Sequence, residues 1–148
     1  MNGRTHLLSG LILGTALCTK FDLHGPMMAS CAVGSLFPDT DHRKSLLGRV
    51  IPLWLIFRPH RQNVLHSLTG MLIVSSVWAV LTMSWIHAAM FAAGYLAHLC
   101  LDTLTKMGVP WLWPKRKLFS LRGIVQGVSE LLILFAFYTI VVATISVL

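Results

Sequence analysis

VLHSLTGMLIVSSVWAVLTM (Val64–Met83), then Ser84, then WIHAAMFAAGYLAHLCLDTLT (Trp85–Thr105) is the stretch that decides the fold class. Each apolar run approaches or reaches the ~20 residues with which a helix crosses a ~30 Å hydrocarbon core. The single residue between them turns the second helix back along the first. The rest of the chain is similar in character. Of its 148 residues 55% are hydrophobic and only 11% are Asp, Glu, Lys or Arg, against about 25% charged in an ordinary soluble domain. That deficit of charge suits a lipid solvent, and the length suits one domain, residues 1–148.

Working outward, a helix is expected from about Thr5 to Thr19, with Gly10 and Gly14 forming a small-residue surface at four-residue spacing. A second, about Met27–Leu36, ends at Phe37-Pro38 because proline pushes the preceding residue out of helical geometry. Residues 37–63 form a basic loop. Within it Leu46–Phe57 is apolar but short and broken by Arg49 and Pro52, which reads as an interfacial segment rather than a crossing. A second polar segment, Lys106–Gly123, carries Trp111 and Trp113 at the level of the headgroups, and a last helix runs about Ile124–Leu148. The fold class is therefore all-α, a polytopic bundle of about five membrane helices with a short interfacial helix. Arg4 followed by Leu7–Cys18 imitates a signal peptide, but no small-residue cleavage site follows, so the segment is read as a retained helix. Cys18, Cys31 and Cys100 lie in apolar runs without CxxC spacing and read as buried free thiols.

Alternate crossing gives the polar residues a pattern. His6 starts the first helix; Asp39, Asp41 and His42 follow the end of the second; His60 and His66 precede or open the third. His98 and Asp102 end the fourth, and Glu130 lies early in the fifth. All fall on one membrane side, taking four of the five acidic residues and five of the seven histidines. Asp22, His24 and His87 remain opposite as interfacial polar groups. Eleven of the twelve Lys and Arg residues share the clustered side, leaving Lys20, and the positive-inside rule makes that side cytoplasmic. The net charge of +7 sits in short loops, so it reads as topology signal and headgroup contact, with no specific nucleic acid partner expected.

His98-Leu-Cys-Leu-Asp102 places an imidazole and a carboxylate one turn apart, fit for one ion or for a plain His–Asp hydrogen bond. Phe37-Pro-Asp-Thr-Asp-His42 is either an Asp-rich turn or a pair of carboxylates for a metal site. His60 is a second ligand, a proton donor or an interfacial group. Arg61 suits a phosphate oxygen and equally suits a positive-inside loop. Convergence on one side favours metal: His6, Asp39, Asp41, His42, His66, His98, Asp102 and Glu130 are the candidate ligands.

At Thr5-His6 with Gly10, Leu36-Phe-Pro-Asp-Thr-Asp-His42, His60-Arg61 through His66-Ser67, and His98-xxx-Asp102 with Thr103 and Gly108, the sequence resembles the YdjM-like family of bacterial inner-membrane metal-dependent hydrolases, which are linked to LexA regulation. Glu130 fits a later acidic position of that family. The family is distantly similar to zinc-dependent phospholipase C and the P1-type nucleases. What the resemblance implies is a multi-pass protein of the bacterial inner membrane with two or three Zn²⁺, or Mn²⁺, that cleaves a phosphoester such as a phospholipid headgroup. Asp39, Asp41 and His60 would then do acid–base work on a water activated by the metal, and Arg61 would hold phosphate. The rival reading is a metal-binding or metal-transporting membrane protein without hydrolase activity, which would place ligands along a route across the bilayer. A third is a scaffold with a closed structural metal.

Overall fold

A computed structural model describes residues 3–57, 60, 62–115, 118–121 and 130–147, with side chains left out at 130, 131 and 144–147. Five α-helices appear: α1 (Gly3–Phe21), α2 (Gly25–Leu36), α3 (Leu68–Thr82), α4 (Trp85–Thr103) and α5 (Glu130–Val147). Three 3₁₀ turns lie between α2 and α3: η1 (Phe37–Asp41), η2 (Leu53–Leu55) and η3 (Val64–His66). Among the described residues the extended structure amounts to one antiparallel bridge, Val109 with Phe119.

The breaks follow local chemistry. α1 stops where Asp22 takes φ +50°, a left-handed conformation that Asp tolerates better than most residues, and Pro26 opens α2 in the first turn, where its missing N–H costs nothing. The third expected helix is split. Ser67 is extended (φ −140°, ψ 163°) and its hydroxyl accepts from Gly70 N at 3.1 Å, so α3 starts afresh at Leu68 and His66 is left on the separate turn η3. Ser84 caps α4, and Met83 at φ +50° ends α3.

α1, α2 and α4 meet through small residues. A Cβ on Gly34 would stand 2.0 Å from the Phe91 carbonyl oxygen, and one on Gly94 would stand 1.9 Å from that of Cys31. The α2 and α4 backbones therefore touch at both glycines, and no side chain fits there. Gly10 and Gly14 face Ser35 and Met28 of α2, as their spacing implies. Around Phe91, Tyr95, Leu99 and Val109 pack Trp78, Phe37 and Trp111, with the Trp78 and Phe91 rings stacked at 4.9 Å. The cysteines are free, though only Cys31 is buried; Cys100 is exposed.

Polarity is distributed inside out. His6, Ser9, Ser35, Thr40, His66, His98 and Asp102 are buried, while Leu72, Val77, Val80 and Leu81 on α3 and Leu132, Phe135 and Ile140 on α5 face outward. Broad outward apolar surface marks a lipid or protein contact. Yet among the described residues no helix is long and apolar enough to cross a membrane, which corrects the expectation of about five crossings. α2 and α3, at 12 and 15 residues, reach only about 18 and 22 Å at 1.5 Å per residue. α1 and α4 reach 19 residues, but Arg4, His6 and Lys20 lower the hydropathy of the one and His98 and Asp102 that of the other. The segment expected to be an interfacial helix holds only the turn η2, with Val50, Leu55 and Ile56 exposed and the Arg43 guanidinium 5.5 Å over the Trp54 ring.

Candidate metal centre

Four elements deliver the polar residues. η1 prolongs α2 past Pro38. It is held by the Thr40 hydroxyl donating to the Phe37 carbonyl (2.7 Å) and the Ser45 hydroxyl donating to the Asp39 carbonyl (2.6 Å), which turns Asp39 and Asp41 inward. His98 and Asp102 share one face of α4, and His6 comes from the first turns of α1. η3 brings His66. Its backbone is tied down by Asn63, whose side chain accepts from Leu65 N (2.9 Å), and by Tyr95, whose hydroxyl donates to the Leu65 carbonyl.

The side chains meet closely but not in the alignment of a hydrogen bond. His6 Nε2 lies 3.3 Å from Asp102 Oδ1, and His98 Nε2 lies 3.4 Å from Asp102 Oδ2 and 3.8 Å from Asp39 Oδ1. His66 Nε2 lies 3.8 Å from both Asp39 Oδ1 and Asp102 Oδ2. Both ring nitrogens of His6 and His66, and Nε2 of His98, are buried without a hydrogen bond. Buried polar atoms in that condition are rare and costly. Two ligands bonded at ~2.0–2.1 Å to one tetrahedral ion stand about 3.3–3.4 Å apart, which the two Asp102 contacts of His6 and His98 match and the three 3.8 Å separations exceed. Asp39, His66, His98 and Asp102 each offer one ligand atom, all within 4.8 Å of one another. His6 stacks on His98 (centroids 3.9 Å apart, 23° between planes) and adds a third imidazole beside Asp102.

A second group, Asp39, Asp41, His60 and His66, also meets within 4.8 Å, but its Asp41 takes part in two 2.6 Å contacts. His60 Nδ1 donates to Asp41 Oδ1 at that distance, and Asn63 Nδ2 donates to Asp41 Oδ2. Burial pushes both η1 carboxyls upward, yet the surrounding imidazoles outweigh it and hold them well below the usual carboxylate range: mainly His98 and His66 for Asp39, His60 and His66 for Asp41. Burial likewise pushes His66 down, but close contact with Asp39 and Asp41 and the charge of Asp102 raise it to about 9. These carboxylates thus favour a proton on His66 in the metal-free chain.

Of the residues singled out in the sequence, His6, Asp39, Asp41, His60, His66, His98 and Asp102 converge, as the alternation of helices implied. His42 does not join either group. It is exposed, its ring centroid 4.9 Å from that of His60, because the chain turns outward after η1. Arg61 and the side chain of Glu130 lie outside the described residues. Sequence reading gave no role to Asn63, Ser35 or Tyr95. Asn63 stands within the quoted His60–His66 stretch, but an amide there carries no signal until Asp41 is folded against it. Ser35 acts through its carbonyl, which any residue has.

The profile of the YdjM inner membrane protein family matches residues 1–147. The uncharacterized protein YvsG of Bacillus subtilis (strain 168) is 33% identical over 120 residues, 77% of this chain and 74% of that protein. The inner membrane protein YdjM of Escherichia coli (strain K12) is 34% identical over 106 residues, 64% of this chain and 53% of that protein, and its Shigella flexneri counterpart gives the same figures. The chain thus spans about half the length of the YdjM proteins it matches. No solved structure matches it. With its sequence matched almost from end to end, the chain belongs to the YdjM inner membrane protein family.

Proposed function

We propose that this protein is a membrane-embedded hydrolase, dependent on a divalent metal such as zinc, that cleaves a phosphoester at the cytoplasmic surface. One observation carries the metal: three buried imidazoles turn Nε2 atoms that make no hydrogen bond toward two carboxylates at 3.3–3.8 Å. Asp39, His66, His98 and Asp102 would hold the cation, with His6 beside them. When bound, such an ion supplies Lewis acidity to a phosphoryl oxygen and lowers the pKa of a water.

The chain's own groups suit the remaining tasks. His60 donates from Nδ1 to Asp41, which leaves Nε2 turned away from that bond, and with its side chain 27% exposed it is the part of the cluster open to solvent. It is placed to hold or pass a proton between an incoming water and the bulk. Arg43 and Lys44 directly follow η1, and Arg61 follows His60 in the sequence; these cations suit a phosphate or a lipid headgroup. The outward apolar faces of α3 and α5 supply the lipid contact, and the basic segments 43–61 and 106–122 would face the cytoplasm.

Burial of the donors favours a second reading, a closed structural metal. His6, His66, His98 and Asp102 are fully buried. The cavity between α1 and α5, lined by Leu11, Thr15, Lys20 and Tyr138, and the one behind α4, lined by Cys100, Leu101 and Phe137, touch none of them. Metal content of the detergent-purified chain, measured beside turnover on phosphoesters and phospholipids, decides between the two. Bound metal with chelator-sensitive turnover supports the hydrolase; bound metal with an inert panel supports the closed site; protein that takes up no divalent ion overturns both.

A further inference from the structure

Asp41 stands with the metal-ligand candidates in both sequence and space, but its contacts differ in kind from those of Asp39 and Asp102. We infer that Asp41 is a positioning residue and not a ligand: together with the Ser35 carbonyl it fixes the ring protons of His66 and His98 on Nδ1, so that both Nε2 lone pairs face Asp39 and Asp102. This rests on the metal centre proposed above.

His98 is settled by one bond. Its Nδ1 lies 2.7 Å from the Ser35 carbonyl oxygen, which can only accept, so the proton is on Nδ1. Nε2 is then the lone pair, facing Asp102 Oδ2 and Asp39 Oδ1. His66 repeats the arrangement more loosely, with a carboxylate in place of the carbonyl: Nε2 faces the same two oxygens, and Nδ1 lies 3.3 Å from Asp41 Oδ2, within reach of a hydrogen bond but without its alignment. A neutral imidazole has one lone pair and one proton. If Nε2 serves the ion, Nδ1 carries the proton, and Asp41 is the carboxylate it meets.

Asp41 is already engaged as an acceptor on both oxygens, from His60 Nδ1 and from Asn63 Nδ2, each at 2.6 Å. Such a separation leaves no place for an ion between the partners, because two ~2.1 Å bonds at right angles already set their ligand atoms about 3 Å apart. Asn63 joins the carboxylate to the turn. The same amide that donates to Asp41 accepts from Leu65 N, one residue before His66. A carboxylate behind a metal-bound histidine is a recurrent way to fix its tautomer and raise its basicity, and removing it typically weakens metal binding 10–100-fold without removing a ligand.

The test uses the whole detergent-purified chain with Co²⁺ or Zn²⁺ as the probe. Asp41→Asn should keep about one Co²⁺ per chain with undiminished visible absorption, while its affinity in chelator competition falls 10–100-fold. Asn63→Ala should fall in the same direction by less, and it carries the test should Asp41→Asn not fold. In the Zn²⁺-loaded wild type, ring ¹⁵N shifts should put the metal on Nε2 and the proton on Nδ1 of both His66 and His98. Loss of Co²⁺ stoichiometry in Asp41→Asn, unchanged affinity in both variants, or coordination of His66 through Nδ1 overturns the inference and leaves the metal centre standing. A wild type that takes up neither ion overturns the metal centre itself.

Discussion

Two regions along the α2–α4 pair each hold histidine and treat it differently. At the end where α2 begins, Ser30, His87 and Trp78 close on one another: Ser30 Oγ lies 2.7 Å from His87 Nδ1, and Trp78 Nε1 donates to Ser30 Oγ at 3.3 Å. At the end where α2 runs into η1, three imidazoles stop 3.3–3.8 Å short of the carboxylates they face. A buried histidine in this bundle can also reach hydrogen-bond distance, as His98 Nδ1 does at 2.7 Å from the Ser35 carbonyl, so the spacing at Nε2 is not a property of buried histidine. It suits a third body between the partners.

Removing a donor should split the ends most widely. His98→Ala and Asp102→Ala each delete a ligand and should lower Co²⁺ affinity more than ~100-fold, beyond the range of outer-shell changes, with turnover lost in parallel. His87→Ala deletes the same side chain eleven positions earlier on α4 and should leave one ion bound. Chelator competition on the three variants checks this. Equal loss in all three would mean that folding, not ligation, is being measured.

A chelator makes the same contrast without mutation. An ion that binds only the folded chain stabilises it by about 2.7 kcal/mol at a hundredfold excess over its dissociation constant, or several degrees of melting temperature for a chain of this size. EDTA should remove that increment from the wild type and from Ser30→Ala alike, and should remove nothing from Asp102→Ala. Thermal unfolding followed in detergent with and without EDTA reads the difference.

How far the sequence led differs between the two ends for a physical reason. The cluster was legible because helix alternation is a long-range rule: His6, Asp39, His66, His98 and Asp102 must share an end if the chain turns back at Lys20–Pro26 and Ser84. Segregation of charge signals this before any contact is known. The Ser30–His87 bond was not legible, since serine inside an apolar run usually bonds its own helix and gives no hint of a partner 57 positions away. Helix lengths were misjudged for a local reason. Hydropathy reads Val64–Met83 as one run and does not register that Ser67 leaves helical geometry to cap α3, which sets His66 on its own turn.

Proton linkage gives a graded effect. His66 in the metal-free chain is held up at about 9, so a cation binding below that pH must displace its proton. Metal affinity should therefore rise with pH, by as much as about tenfold per unit, and flatten near pH 9. The metal-free fold responds with the opposite sign: a raised histidine pKa contributes stability that is fully present below about 6.5 and is lost as pH rises through about 9. Co²⁺ titrations between pH 6 and 9 test the first; an affinity that falls with rising pH across that window would contradict it.

The smallest effect is expected at the hydrogen-bonded end, where it isolates what a closed polar cluster is worth without an ion. Ser30→Ala removes the partner of His87 Nδ1 and the acceptor of Trp78 Nε1. Both neighbours are only partly buried, so water can take over some of what is lost. The cost should stay near about 1 kcal/mol, the ordinary net worth of a hydrogen bond, and no backbone shift is required because alanine is the smaller side chain. Metal affinity should not move at all, since Ser30 bonds His87 and Trp78 and none of the donors, and substitutions without shared partners act independently. A change in Co²⁺ affinity on Ser30→Ala would show that the two ends are coupled through the glycine contacts of α2 and α4, and the hydrogen-bonded cluster would then belong to the metal centre's own support.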